Sequence, residues 1–183
     1  MHAFEPHPET FRRLQQNVEL NQRGNVTLHN LALGSAEGSV FFTDGSQDTL
    51  NHVVTEASQP AGTIVVPSRR TDALCQEFGI RPEVVKIDVE GFEYDVLEGF
   101  GEELSSVELL IVEMNEKADE RSHGERDVHA LLTAAGLSGP WDCDLYRGRF
   151  VPFTTRSRED PIYISDAFRA RAPGLGLTFP DAS

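Results

Sequence analysis

Residues 84–100 read VVKIDVEGFEYDVLEGF. The first half is rich in β-branched residues and alternates, the pattern of a half-buried strand. Val85, Ile87 and Val89 fall on one face and read as core, while Lys86 and Asp88 share the other, because strand side chains alternate with period two. Gly91 then turns the chain into a helix predicted from Phe92 to about Gly99. That geometry divides the charges. Asp88 and Glu90 stand at the carboxyl end of the strand, whereas Glu93 and Asp95 lie in the first turn of a helix, where acids favour the macrodipole. Open α/β sheets bind their ligands outside the carboxyl ends of strands.

Upstream of this stretch, His2-Ala3-Phe4 is a short, mostly apolar run that meets Glu5-Pro6. From Pro8 the pattern is helical, with Phe11, Leu14 and Val18 at three- and four-residue spacing, ended by Arg23-Gly24-Asn25. Val26 to Leu33 alternates and predicts one strand, closed by Gly34. Residues 38–43 and 62–67 predict two more, with the polar loop DGSQDTLNHVVTEASQPA between them. Thr71-Asp72 are expected to cap a helix running through Phe78, and Pro82 breaks the pattern before the quoted strand.

Downstream, Val107 to Met114 (VELLIVEM) is a second near-continuous apolar strand. After the charged segment NEKADERSHGERD, a helix places Val128, Leu131, Leu132 and Ala135 on one face, and Gly136 and Gly139-Pro140 are expected to stop it. Trp141–Tyr146, Phe150–Thr154 and Pro161–Ser165 predict short closing strands. Buried strands alternating with helices give an α/β fold with a mostly parallel sheet and an antiparallel edge. One domain over residues 1–166 is expected, with 167–183 as a loose tail.

Composition narrows the function. The 183 residues carry a formal net charge of −14, which repels phosphate backbones and anionic membranes, so neither nucleic acid nor a membrane is an expected partner. Cys75 and Cys143 form no CxxC pair, and two cysteines make no secretory framework. MHAFEPHPET does not resemble a signal peptide, and no apolar run approaches the roughly 18 residues of a membrane span. A cytoplasmic domain is the expectation.

Glu5 ends a strand just before a helix. A carboxylate there can accept hydrogen bonds from ribose hydroxyls, each worth about 1.5–3 kcal/mol when charge-assisted, or simply favour the helix dipole by about 0.3–1 kcal/mol. Leu31 and Ala32, in the run Asn30–Gly34, could pass the flat face of an adenine or merely end a strand. Lys86 either pairs with Asp88 or Glu90 or tunes their charge.

KIDVEGFEYDVLEGF resembles the signature of the FkbM-type methyltransferases, which depend on S-adenosylmethionine. AFEPHPETFRRLQQNVELN is similar to that family's acidic loop and following helix, NLALGSAEGSVFF to its third strand and exit, RRTDAL to its threonine-aspartate segment, and ELLIVEMN to its fifth strand. The matches run in order over roughly residues 3–135.

The resemblance implies a class I methyltransferase (Rossmann-like) fold with strand order 3-2-1-4-5-7-6. It implies that Glu5 holds the ribose of S-adenosylmethionine, that Leu31 and Ala32 lie near the adenine, and that Asp88 lies near the methionine end or the acceptor. The family mostly methylates hydroxyl oxygens on small molecules, including sugars and polyketides. Asp88 and Glu90 are then the candidate general bases, with Lys86 tuning them.

In the family a first strand and a glycine-rich loop precede the acidic strand, and here the sequence begins on that strand. The expectation is therefore an N-terminally truncated domain, from a fragment or a misassigned start. Gly174-Leu175-Gly176 has glycine-loop spacing, but it follows no predicted strand and opens no predicted helix.

Three alternatives stay open. Asp88, Glu113 and Asn115 end adjacent predicted strands and offer oxygen ligands suited to Mg²⁺, although no metal is assigned. The domain could be a catalytically inactive remnant that binds or interacts, or a Rossmann-type nicotinamide enzyme. His52 and His123 lie in loops that could cover a site.

Overall fold

The computed structural model describes residues 1–43, 53–54, 62–114, 124–144, 147–154 and 160–180. His52, Asn115, His123, Tyr146 and most of the polar loop after Thr43 lie outside these residues.

The quoted stretch forms β7 (Val84–Ile87), a turn, and α3 (Glu93–Glu98). β7 lies parallel to β8 (Leu109–Val112), with Ile87 level with Val112. β11 (Ile162–Ser165) pairs antiparallel with β8, then β9 (Leu137–Asp144) and β10 (Arg149–Pro152) follow, giving the order β10-β9-β11-β8-β7. The period-two faces are as expected. Ile87, Leu110, Val112, Leu137 and Tyr163 are buried beneath α3 and α4 (Glu125–Ala134), whose Val128 and Leu132 close the same core.

β1 (His2–Phe4) and β2 (Thr27–His29) form a separate parallel pair, connected by α1 (Pro8–Leu20). Two pieces of the implied order are present, β2-β1 in the place of strands 3-2 and β7-β8-β11-β9 in the place of 4-5-7-6, with β10 added at the edge and no described strand in the place of strand 1. Among the described strands, β1 pairs only with β2 and β7 only with β8. A third sheet, β3-β6-β4-β5, holds β3 (Ala32–Leu33), β4 (Gly38–Thr43), β5 (Val53–Val54) and β6 (Thr63–Arg69). α2 (Thr71–Phe78) leads from β6 back toward β7.

Four expectations change. Val26 to Leu33 is not one strand: the last rung to β1 is the Glu5 N–H to His29 carbonyl bond at 3.1 Å, after which the chain leaves that pair and Ala32 joins β6 opposite Ser68. The α2 N-cap is the extended Arg70, because Thr71 and Asp72 are already the first helical residues; the Asp72 carboxylate instead accepts the Ala73 N–H at 2.7 Å and the Arg70 guanidinium at 2.6 Å. Gly139-Pro140 does not end α4. It lies inside β9, with a cis peptide bond, at the point where the ladder to β11 shifts register between Ser138 and Trp141.

The last change concerns the C-terminus. The segment expected to be loose contains α5 (Asp166–Arg171), whose Phe168 and Ala172 are buried against Phe150 and Ile164. Ser165 Oγ accepts the Phe168 N–H at 3.1 Å, and the Phe179 ring stacks on Phe150 at 4.5 Å. Gly174-Leu175-Gly176 falls in and just after a 3-10 turn behind α5, away from any strand-to-helix junction.

Candidate active site

The β7–β8 register builds the site. Ile87 and Val112 are level and face the core, so the next pair along, Asp88 and Glu113, projects from the opposite face. The Glu113 N–H donates to the Ile87 carbonyl at 2.9 Å, which fixes the two strand ends together. That register sets the two carboxyl groups side by side, and each shifts the other's titration. β11 runs the other way with Ile162 opposite Ile111, so Asp160, two residues earlier, arrives beside the same edge. Lys86 Nζ lies 2.8 Å from Asp88 Oδ2 and 3.8 Å from Asp160 Oδ2.

Electrostatics then separate two neighbouring acids. The bond from Glu113 and the one from Lys86 hold the Asp88 carboxyl below the usual carboxylate range. Glu113 is pushed up to about 7, first by its bond to ionised Asp88, then by burial, and further by the charges of Asp88, Glu90 and Asp160. Two neighbouring carboxyls cannot both ionise cheaply, so Glu113 gives up its proton only as the pH passes about 7. Lys86 is raised, chiefly by its bond to Asp88.

Glu90 sits half-buried in the turn that follows. Gly91 has φ +79° there, a left-handed conformation that disfavours side chains, and its N–H donates to Glu93 Oε1 at 3.1 Å. The turn is therefore tied to the first residue of α3.

Glu5 stands at the carboxyl end of β1, where its Oε1 accepts the His7 N–H at 2.8 Å. Asn30 Nδ2 donates to the Glu5 and Pro6 carbonyls at 2.8 and 3.0 Å, so the loop is braced from the end of β2. His7 is buried and caps α1, its ring nitrogen accepting from Thr10. Ala32 is packed with Phe42, Val53 and Val66, while Leu31 is half-buried beside it.

The structure thus gathers Lys86, Asp88 and Glu90 at one edge and places Glu5, Leu31 and Ala32 on the β1–β2 pair and the strand that leaves it. Lys86 forms an ion pair with Asp88 and a longer one with Asp160. Two residues of the edge, Glu113 as Asp88's partner and Asp160, were not anticipated in these roles. The signal for Asp160 was its place just before an antiparallel closing strand, which must begin where parallel strands end. Among the described residues no group of three or more His, Cys, Asp or Glu could hold a metal ion, and Asn115 of the Mg²⁺ alternative lies outside them.

Comparison with known proteins matches residues 1–137 to the Methyltransferase FkbM domain. The chain is similar to the hexuronic acid methyltransferase AglP of Haloferax volcanii, at 36% identity over 139 residues, 74% of this chain and 54% of that protein. It is also similar to Methyltransferase 1 of Beauveria bassiana, at 31% identity over 133 residues, 61% of this chain and 53% of that one. The chain spans about half the length of the curated relatives it matches. The crystal structure of methyltransferase FkbM from Methylobacillus flagellatus KT matches 89% of this chain and 36% of its own length, with a TM-score of 0.55 and 16% identity, a likeness of fold.

Proposed function

The chain belongs to the FkbM methyltransferase family, and from that premise we propose that it transfers a methyl group from S-adenosylmethionine to a hydroxyl oxygen of a small molecule such as a sugar or polyketide. The observation that carries the reading is the Asp88–Glu113 carboxyl pair at the carboxyl edge of the sheet, with Glu113 raised to about 7. A base is most effective when its pKa is near the working pH, and a placed base contributes about 10²–10⁴-fold.

Bound S-adenosylmethionine supplies an electrophilic methyl on a sulfonium centre. The residues present suit such a group: Glu5 offers a carboxylate to ribose hydroxyls at the end of β1, and Leu31 offers an apolar surface to the adenine, with Ala32 packed behind it. Asp88, Glu113 and Asp160 outnumber Lys86 at the edge, a balance that favours a cation.

The form that reacts has Glu113 ionised, about half of the molecules where the pH equals its value of about 7. In that form Glu113 takes the hydroxyl proton, while Lys86 keeps Asp88 ionised so that the proton stays on Glu113. Glu90 adds negative charge that raises Glu113 and stands as the second candidate base. Holding the acceptor oxygen in line supplies the larger share of the rate, about 7–11 kcal/mol in well-oriented cases.

The relative named for hexuronic acid makes sugars the first acceptors to try. The net charge of −14 supports a small-molecule acceptor over nucleic acid or a membrane surface. Two unpaired cysteines suit a reducing cytoplasm. The test is methyl transfer from labelled S-adenosylmethionine to a panel of monosaccharides, uronic acids and hydroxylated polyketides, with calorimetric titration of S-adenosylmethionine alongside. Labelled product blocked by S-adenosylhomocysteine supports the reading. No binding and no transfer to any acceptor overturns it.

A further inference from the structure

The residues proposed for the two ends of the cofactor lie on different sheets. Leu31 and Ala32 belong to the segment that enters the β3-β6-β4-β5 sheet, and Asp88 and Glu113 to the five-stranded one. In-line transfer needs these ends held to within a fraction of an ångström. A contact away from both supplies that constraint.

Directly after β3, the 34–35 turn sits on α3. A Cβ on Gly99 would stand 2.2 Å from the Gly34 carbonyl oxygen, so only glycine allows this approach. Ser35 Oγ donates to Asp95 Oδ1 at 2.9 Å, across 60 positions of sequence. Arg70 closes the junction. Its Nη1 donates to the Ser35 carbonyl at 2.6 Å, its Nε and Nη2 grip Asp72 at 3.0 and 2.6 Å, and its backbone N–H donates to Glu37 Oε1 at 3.1 Å. The Asp72 N–H donates to the Gly99 carbonyl at 3.0 Å, returning the grip to the end of α3. Phe92, in the turn after Asp88, packs against both the Ala32 cluster and the Ile87 cluster.

We infer that Ser35, Arg70 and Asp95 form a latch that positions the Ala32 segment against the Asp88–Phe92 turn, so that Arg70 and Ser35 are positioning residues for the transfer. A two-ended ligand binds a rigid pair of half-sites more tightly than either end alone, because the second contact becomes intramolecular. Opening the latch leaves each half-site intact and removes their registration. The assignment of the two ligand ends rests on the proposed function; the mechanical coupling does not.

Hydrogen exchange on the whole free protein tests the coupling without any ligand. Ser35→Ala, and Arg70→Lys, which keeps the charge but loses the planar fork, are expected to speed exchange at Gly91, Phe92 and the α3 amides on the order of 10-fold or more. Amides of Val128–Ala134 should keep wild-type rates, and Ser35→Thr, which retains the hydroxyl, should restore the protected turn. In a titration of wild type and Ser35→Ala, affinity for S-adenosylmethionine should fall while affinity for adenosine alone stays level. Unchanged exchange at residues 91–97 in both variants, or an equal rise in α4, overturns the latch. If the wild type binds no S-adenosylmethionine, the proposed function falls, and the exchange result still decides the latch.

Discussion

The two regions that carry acids at strand ends are built to different standards. The β7–β8–β11 edge tops a sheet whose core includes Leu110, Val112, Val107 and Leu132, all with no measurable exposure. The β1–β2 pair has no fully buried residue, and neither does α1. Two strands alone are marginally stable, so this half depends on its neighbours. His2 and Phe4 each stack on His29, and the Phe78 ring of α2 lies 5.2 Å from His2 and 5.0 Å from His29. The proton-accepting side of the proposed reaction is therefore on rigid ground, and the ribose-holding side is held by an aromatic stack and the loop bonds of Asn30.

That contrast can be broken in order of expected effect. Glu113→Gln keeps the shape of the edge and removes the base, so turnover should fall about 10²–10⁴-fold with S-adenosylmethionine affinity within a few-fold of wild type; steady-state kinetics and calorimetry separate the two. A fall in affinity with turnover intact would move Glu113 to cofactor binding. Next, Leu110→Ala should cost about 2–5 kcal/mol of global stability by denaturant unfolding, as an emptied core site. Leu14→Ala on α1 should cost less than about 1 kcal/mol, and equal costs would abolish the distinction between the halves. Phe78→Ala should loosen the β1–β2 pair selectively, seen as faster exchange at the Thr27 and Glu5 amides with the amides of β8 unchanged.

The smallest effect is one of pH. Folded Glu113 keeps a proton that the unfolded chain, with an ordinary value of 4.5, releases. The contribution of Glu113 to stability should thus be lost as pH rises from about 4.5 to about 7. Asp88 acts in the opposite sense and lower down, its contribution being lost as pH falls below its ordinary 3.8. The melting temperature of Glu113→Gln relative to wild type should therefore be higher at pH 8 than at pH 5. A constant difference would mean that Glu113 titrates normally.

Much of the fold was legible because it is local. The strands at 84–87 and 109–112 announce themselves by β-branched and apolar runs, and α1 and α4 by spacing. What was not legible depends on partners distant in sequence. Nothing local says that the chain leaves β1 after His29, or that β9 runs through Gly139-Pro140; both follow from which strand lies alongside. α5 is too short to show a period, and it is held by Phe150 and Ile164. Asp88 and Glu90 could be placed at the carboxyl edge of the sheet from strand period alone. The pairing of Asp88 with Glu113, and the arrival of Asp160, needed the registers of β7, β8 and β11.

The central claim is that Asp88 holds the neighbouring Glu113 carboxyl protonated up to about pH 7. Carbon-13 NMR titration of the glutamate side-chain carboxyls reads it directly. The account predicts one carboxyl titrating at about 7 that disappears in Glu113→Gln. A full set of glutamate carboxyls titrating below about 5 would contradict it.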